Sequence, residues 1–244
     1  MTDEKRPARV RLLGGCERFF HLYALAFPVH FCLVAQIEGA LHPARLGAAL
    51  EQVRRRHPAL RVCIADDAET GPAFHRIDNP IELHAVQAQT ATDWRGVVEG
   101  ELSLPFGASS GPLMRATALW ASDGTSIVLT FHHAVMDGLS GTRIVHDLMR
   151  ALAGDHLEVL PLRPPLEEMI ERVISVRDFV EGCILRGETA PKIPARVARA
   201  GKKLVANIAS VEWDRNDTAR LVRSCKANGT TVHACGYRTY RCRR

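Results

Sequence analysis

Apolar residues recur along the first half of the chain with two different periods, which predict strands alternating with helices. The segment Pro28–Glu38 is rich in strand-forming residues. The period then lengthens, because Leu46, Leu50 and Val53 share one stripe of a helix that stops before Pro58. A strand followed by an amphipathic helix is therefore predicted near the start of the chain.

The strongest local signal is a predicted β-hairpin near the middle of the chain. Two strand-like runs, Leu113–Ser122 and Thr125–His132, flank Asp123 and Gly124, a pair that favours a type I′ turn. In the second run, strict alternation predicts two opposite faces. Ile127, Leu129, Phe131 and His133 share one of them, and Val128, Thr130 and His132 share the other.

A second amphipathic helix is predicted after the hairpin. Ile144, Leu148 and Leu152 form its apolar stripe, Ser140 is its predicted N-cap, and Gly154 lies beyond its end. Shorter segments complete the prediction, with strands at Ala59–Ile64 and within Phe74–Val86, and helices at Asp93–Leu102 (capped by Thr92), Leu166–Arg186 and Asp217–Ala227.

Composition is that of an ordinary globular protein. The chain has 244 residues, of which 46% are hydrophobic, enough for one large core or two small ones. Its formal net charge is +5, but four of those charges come from arginines close to the C-terminus. Because the rest of the chain is nearly neutral, we do not expect it to bind nucleic acid.

The seven cysteines are scattered and never spaced as Cys-x-x-Cys, so we expect free thiols in a reducing compartment, without a disulfide framework or structural zinc. The first residues lack the apolar core of a signal peptide. No apolar run approaches the roughly 18 residues of a transmembrane helix. We therefore expect a cytoplasmic protein.

Two adjacent histidines, His132 and His133, end the second hairpin strand and precede Asp137 and Gly138. Three interpretations are open: a metal site, a catalytic base, or histidines that only stabilise a core. Alternation turns the two rings in opposite directions, and no Glu or Cys set completes a coordination shell, so no metal site is expected. The residues alone leave the other two interpretations open.

Four segments together resemble one acyltransferase superfamily. The stretch 132–138, HHAVMDG, is similar to the HHxxxDG motif of the superfamily that includes chloramphenicol acetyltransferase, peptide-synthetase condensation domains and polyketide-associated acyltransferases. Stretches 56–61 (RHPALR), 104–115 (LPFGASSGPLMR) and, more weakly, 11–20 (RLLGGCERFF) resemble further segments of that superfamily. The resemblance implies an α+β fold, a two-layer α/β sandwich of the chloramphenicol acetyltransferase type.

The resemblance also implies roles for five residues. His133 would be the general base that takes a proton from the acceptor, and His132 would support it. Asp137 would pair with Arg61 and hold the turn, although a plain capping role for Asp137 and a solvated charge for Arg61 remain open. Gly138 would permit a backbone conformation or a close substrate approach that a side chain prevents.

The function implied is acyl transfer from a coenzyme A or carrier-protein thioester to a hydroxyl group. The acceptor would be a small-molecule or lipid alcohol, in lipid or polyketide biosynthesis, and no tightly bound cofactor or metal is expected. Two alternatives remain. One is an amide-forming condensation domain of a peptide synthetase, and the other is an inactive, truncated homologue.

The resemblance predicts a domain organisation as well. Residues 1–160 would form the first lobe with the motif, 161–233 a linker and the start of a second lobe, and 234–244 an atypical basic tail. Two-lobed members of the superfamily are longer, so we expect a chain truncated by a frameshift or a premature stop. The alternative is that residues 234–244 are a genuine flexible tail. A missing second lobe would expose apolar surface and favour self-association.

Overall fold

A computed structural model of the chain describes residues 8–25, 27–67, 71–107, 109, 111–171, 206–208, 213–232 and 234–235. The chain divides into two compact units, residues 1–206 and 207–244. Within the described ranges, every helix is too short or too polar to cross a membrane. The five cysteines in these ranges are free thiols.

The first unit combines seven described strands with five described helices and one 3₁₀ turn. The strands are β1 (Arg9–Leu12), β2 (His30–Glu38), β3 (Val62–Asp67), β4 (Gly71–Arg76), β5 (Leu83–Gln87), β6 (Met114–Ala121) and β7 (Gly124–His132). The helices are α1 (Gly15–Ala24), α2 (Pro43–Arg56), α3 (Trp94–Ser103), α4 (Gly138–Ala153) and α5 (Leu166–Glu171), and the 3₁₀ turn is Pro58–Arg61.

The larger sheet has the order β2-β7-β6-β5. Strand β7 pairs antiparallel with both β2 and β6, whereas β5 runs parallel to β6. All nine residues of β7 are buried, so this strand forms the centre of the unit. In register, His30 lies opposite His132 and Phe31 opposite Phe131, which brings β2 alongside the motif.

The main core lies on one face of this sheet. Apolar side chains of β7 pack there against the predicted stripes of α2 and α4; the buried members include Leu46, Leu50, Val53, Ile127, Leu129, Phe131, Ile144 and Leu148. On the other face, Thr130 contacts α3 through a hydrogen bond of 3.2 Å to Glu101. This arrangement confirms the alternation predicted for β7 and the α+β class.

The smaller sheet has the order β1-β4-β3 with antiparallel pairing throughout. Its core consists of Val62, Ile64 and Phe74, joined by Leu113 and by Ala134 from the histidine turn. The turn therefore connects the two sheets, because β7 of the larger sheet ends at this smaller core.

The hairpin is formed by β6 and β7, but its turn differs from the predicted type. Ala121 pairs with Gly124, so the two-residue loop is Ser122-Asp123, and neither residue has the positive φ that a type I′ turn requires. Gly124 serves another purpose, since a Cβ there would lie 2.6 Å from the carbonyl oxygen of Ile37 on β2. Close backbone approach therefore requires the glycine.

Other differences concern element ends. The predicted strand at Ala59 begins only at Val62, because Pro58 opens a 3₁₀ turn in which the Leu60 amide donates to His57. The N-cap of α3 is Asp93 in place of Thr92. The predicted helix at Leu166–Arg186 is described as far as Glu171, and its remainder lies outside the described residues.

The second unit contains helix α6 (Arg215–Ala227), close to the predicted helix. Its Asp214 side chain accepts a hydrogen bond from the Asp217 amide at 2.7 Å, which moves the start two residues towards the N-terminus. The helix ends as predicted, where Gly229 takes a positive φ of 61°. The predicted boundaries near residues 160 and 233 stay predictions, and residues 236–244 are outside the described ranges.

Candidate active site

The two histidines lie where β7 leaves the sheet. His132 is the last residue of β7, and its amide donates to the carbonyl of Leu113 at 3.0 Å. The next amide, that of His133, donates to the carbonyl of Val29 at 3.3 Å. The motif backbone is therefore held from both sides before the chain turns into α4.

The His133 ring packs against two aromatic side chains. Its centroid lies 4.9 Å from that of Phe20 in a stacked arrangement, and 4.7 Å from that of Phe31 at an angle of 42°. Burial lowers the pKa of His133 below its ordinary value, although a hydrogen bond to the backbone of Met136 and the charge of Asp137 act in the opposite direction. The ring is therefore neutral and able to accept a proton near neutral pH.

The His132 ring has a different environment. It is only 2% exposed, and its Nδ1 atom accepts a hydrogen bond of 3.0 Å from the Ala134 amide. Because an amide can only donate, Nδ1 carries a lone pair and the ring proton is on Nε2. Burial, followed by the neighbouring histidines His21, His30 and His133, lowers the pKa of His132 to about 4. This imidazole is neutral and braces the turn that carries His133.

Phe106 connects the segment 104–115 to the histidines. Its ring meets His132 edge to face, with centroids 5.7 Å apart, and meets His30 in the same way at 5.6 Å. The guanidinium of Arg115 lies over the Phe106 ring, 4.1 Å from its centroid. The sequence motif did not reveal these contacts, because they depend on how α3 packs on the sheet.

A buried carboxylate holds Arg115 in place. Glu101 on α3 accepts hydrogen bonds from Arg115 at 2.9 Å, from Thr117 at 2.8 Å and from Thr130 at 3.2 Å. Burial acts to raise the pKa of Glu101, but these hydrogen bonds outweigh it and keep the pKa below its ordinary value. The carboxylate is therefore charged and paired, and it ties α3 to β6 and β7.

A small cavity of about 30 Å³ lies beside His132. It is lined by His21, Ala24, Leu25, Pro28, Val29, His30, Pro105, Phe106 and His132. Although three histidines line this cavity, the described residues contain no group of three or more His, Cys, Asp or Glu side chains arranged to hold a metal ion. The volume has room for a few water molecules.

The structure contradicts the predicted ion pair between Asp137 and Arg61. Asp137 is the N-cap of α4 and accepts a hydrogen bond of 2.7 Å from the Ser140 amide. Asp137 therefore has the plain capping role that the sequence left open, and the N-cap predicted at Ser140 is wrong. Arg61 makes no salt bridge with Asp137 in the described part of the chain, and its buried Nε atom has no hydrogen-bond partner there. Burial, then the charges of Arg76 and Arg54, lower the pKa of Arg61.

Gly138 is the first residue of α4 and does not take a positive φ. Apart from its chain neighbours and its own helix backbone, no heavy atom of the described residues would lie within 4 Å of a Cβ at this position. The predicted need for an unusual backbone conformation is therefore wrong, because Gly138 adopts the conformation of an ordinary helical start. Close approach of a substrate to Gly138 stays a prediction.

An unpredicted ion pair connects α2 to α4. Asp147 is 7% exposed and accepts from Arg56 at 2.7 Å and from His57 at 2.8 Å. Burial acts to raise the pKa of Asp147, but the hydrogen bonds from Arg56 and His57 bring it below its ordinary value. The first two residues of the segment 56–61 therefore stabilise the packing of the two core helices.

The different surroundings of Arg56 and Arg61 predict different effects on stability for variants of these two residues. Arg56→Met should lower the free energy of unfolding by about 2 kcal/mol, because the buried Asp147 carboxylate loses a charged partner. Arg61→Met should leave the melting temperature nearly unchanged, because burial and the charges of Arg76 and Arg54 outweigh the anionic neighbours of Arg61, and its Nε has no hydrogen-bond partner among the described residues. Thermal unfolding followed by circular dichroism measures both, and a lower melting temperature for Arg61→Met alone would contradict the assignment.

Comparison with known proteins identifies the family. The profile of the condensation-domain family matches residues 29–235. The hybrid PKS-NRPS synthetase thnA of Trichoderma harzianum is 27% identical over 176 residues, covering 67% of this chain and 4% of that protein. The probable non-canonical nonribosomal peptide synthetase CymA of Salinispora arenicola is 27% identical over 206 residues, covering 80% of this chain and 2% of that protein.

A solved structure supports the same fold. The first condensation domain of the calcium-dependent antibiotic synthetase superposes with a TM-score of 0.70 at 16% identity, covering 92% of this chain and 58% of that chain. The chain thus spans little more than half of that solved chain and a few per cent of the synthetases above. With a family profile that matches most of its length, the chain belongs to the condensation-domain family.

Proposed function

We propose that this chain carries the catalytic base of an amide-forming condensation reaction, in which an acyl group passes from a carrier-protein thioester to an amine. The observation that carries the proposal is the position of His133. Its ring is half-buried and neutral at the end of the central strand, and its pKa is lowered by burial. Membership of the condensation-domain family supports the reaction class.

The proposed reaction needs one base. His133 takes a proton from the attacking amine as the new C–N bond forms at the thioester carbonyl. The oxyanion then collapses, the C–S bond breaks, and the leaving thiolate takes the proton back from His133. The N-terminus of α4, which begins at Gly138, carries the positive end of the helix dipole and would stabilise the oxyanion. The thioester is a substrate, and no tightly bound cofactor or metal is part of the proposal.

An amine acceptor has better support than the hydroxyl acceptor expected from the sequence. The relatives described above are a peptide synthetase and a hybrid synthetase, and the matching family is that of condensation domains. A coenzyme A donor, an alcohol acceptor and a role in lipid or polyketide biosynthesis stay predictions. The cytoplasmic location and the self-association predicted from the sequence stay predictions.

The test compares acceptors directly. The chain is incubated with an acyl-pantetheine thioester and either an amino acid amide or an alcohol of similar size, and products are identified by mass spectrometry. We expect the amide to form faster than in protein-free buffer. Ester formation without amide, or no product above buffer, would contradict the proposal for this chain. A longer chain that includes the sequence of a complete condensation domain, tested in parallel, shows whether further residues are required.

A further inference from the structure

Helix α1 has two different faces at the site. Phe20 packs against the smaller core, whereas its neighbour Phe19 is 57% exposed. The helix is held at its start, where Arg11 pairs with Glu17 at 2.6 Å and the Cys16 amide donates to Glu167 at 2.8 Å. These contacts hold the start of α1, although several large apolar side chains on its outer face are exposed.

Only one of these two phenylalanines reaches the candidate base. The rings of Phe20 and His133 are nearly parallel, at 18°, with centroids 4.9 Å apart. Phe19 contacts Phe20 edge to face and stacks on Tyr23, further along α1. The inner face of the helix therefore presents an aromatic surface to the imidazole, and the outer face does not.

Phe31 makes the second ring contact with His133, but it has a structural role too. Its ring stacks on Phe131 at 5.4 Å, and it lies close to Gly141 where α4 crosses β2. Substituting Phe31 would therefore loosen the main core as well as the site. Phe20 is the contact that can be changed with least effect on the main core.

We propose that Phe20 is a positioning residue, whose ring fixes the plane of the His133 imidazole and so directs its proton-accepting nitrogen towards the acceptor. A flat ring stacked on a flat imidazole restricts rotation of the imidazole about its χ2 bond. The proposal rests on the proposed function, since the orientation of His133 matters for the reaction only if this residue is the base.

In the described part of the chain, the charged and titratable groups that act on His133 come from few elements. Asp137, at the start of α4, raises the pKa of His133, and the adjacent His132 is neutral. From α1 and β2, the groups that touch the ring are the uncharged side chains of Phe20 and Phe31. The titratable residues His21 and His30 of these two elements line the cavity beside His132 instead. Phe20 thus acts through packing and exclusion of water.

The experiment compares Phe20→Leu with Phe19→Leu, the same change at the neighbouring position, and with Phe20→Tyr, which keeps a ring. Two quantities are measured: the pKa of His133 by NMR titration, and the pH dependence of kcat and KM for amide formation. Phe20→Leu should raise the His133 pKa, because water reaches the ring, and lower kcat about tenfold with KM little changed. Phe20→Tyr and Phe19→Leu should behave like the parent protein.

Two results would overturn the positioning role. One is an unchanged His133 pKa and kcat in Phe20→Leu, and the other is an equal change in Phe19→Leu, which would show a general loosening of α1. A failure of the proposed function gives a different set of results. In that case Phe20→Leu still changes the pKa of His133 in the NMR titration, while replacement of His133 itself has no effect on product formation.

Discussion

Replacing His133 with alanine is expected to lower kcat for amide formation by about 10²- to 10⁴-fold, the usual contribution of a general base. The side chain directly follows the central strand, and burial lowers its pKa although the charge of Asp137 acts in the opposite direction. Its removal leaves the amine to lose its proton to water. The measurement is the initial rate of product formation at saturating donor, with KM determined for both substrates.

The control is His156→Ala, because His156 is exposed and far from the motif in sequence. This variant should keep the parent rate. The fold of His133→Ala should also be retained, since neighbouring Phe20 and Phe31 continue to pack around a smaller side chain, and near-ultraviolet circular dichroism checks this. Full activity in a folded His133→Ala protein would remove His133 from the role of base.

Acidification from pH 6.5 to about 4 is expected to destabilise the protein, with His132 as the largest identified contributor. The buried His132 ring has a pKa of about 4 in the folded chain, against 6.5 for an ordinary imidazole. Between these values the unfolded chain binds the additional proton, so stability is fully present above pH 6.5 and falls as the pH decreases towards 4. The difference corresponds to about 3 kcal/mol for this one group.

His132→Asn separates this effect from the loss of the hydrogen bond. The asparagine oxygen can accept from the Ala134 amide in place of Nδ1, but it does not titrate. Urea unfolding across this pH range should therefore show a weaker pH dependence in His132→Asn than in the parent or in the exposed control His156→Asn. Some dependence remains, because burial also lowers the pKa of His57 and His133. Equal slopes in all three proteins would exclude His132 as the source.

Local patterns identified much of the fold. The alternation in β7 depends only on the pleat of a strand, and the stripe of α4 depends only on 3.6 residues per turn, so both follow from neighbouring residues. The resemblance named the correct superfamily, since each of its four segments can be recognised by residue type and spacing. Local sequence patterns do not identify the acceptor group. The family comparison supports the amide-forming alternative.

The ends of helices and strands were predicted less well, because several neighbouring residues can serve as the N-cap of one helix. Both Asp137 and Ser140 have side chains suited to an N-cap, and the structure places Asp137 there while the Ser140 amide donates to it. The hairpin turn likewise depends on a third strand, since Ile37 of β2 approaches Gly124 too closely for any side chain. A sequence window that covers only the hairpin does not contain this contact.

The sequence by itself determined the strand and helix that flank the histidines and the opposite directions of the two rings, because each depends on residues adjacent in the chain. It also determined the superfamily, because four short segments can each be recognised by residue type and spacing. Only the tertiary structure decided which side chains surround those rings. Asp147 pairs with Arg56 across 91 positions, and the buried Nε of Arg61 has no hydrogen-bond partner among the described residues. Phe20 reaches His133 from a helix more than a hundred residues away. Such contacts arise when helices and sheets pack, and packing depends on the shape of the whole core.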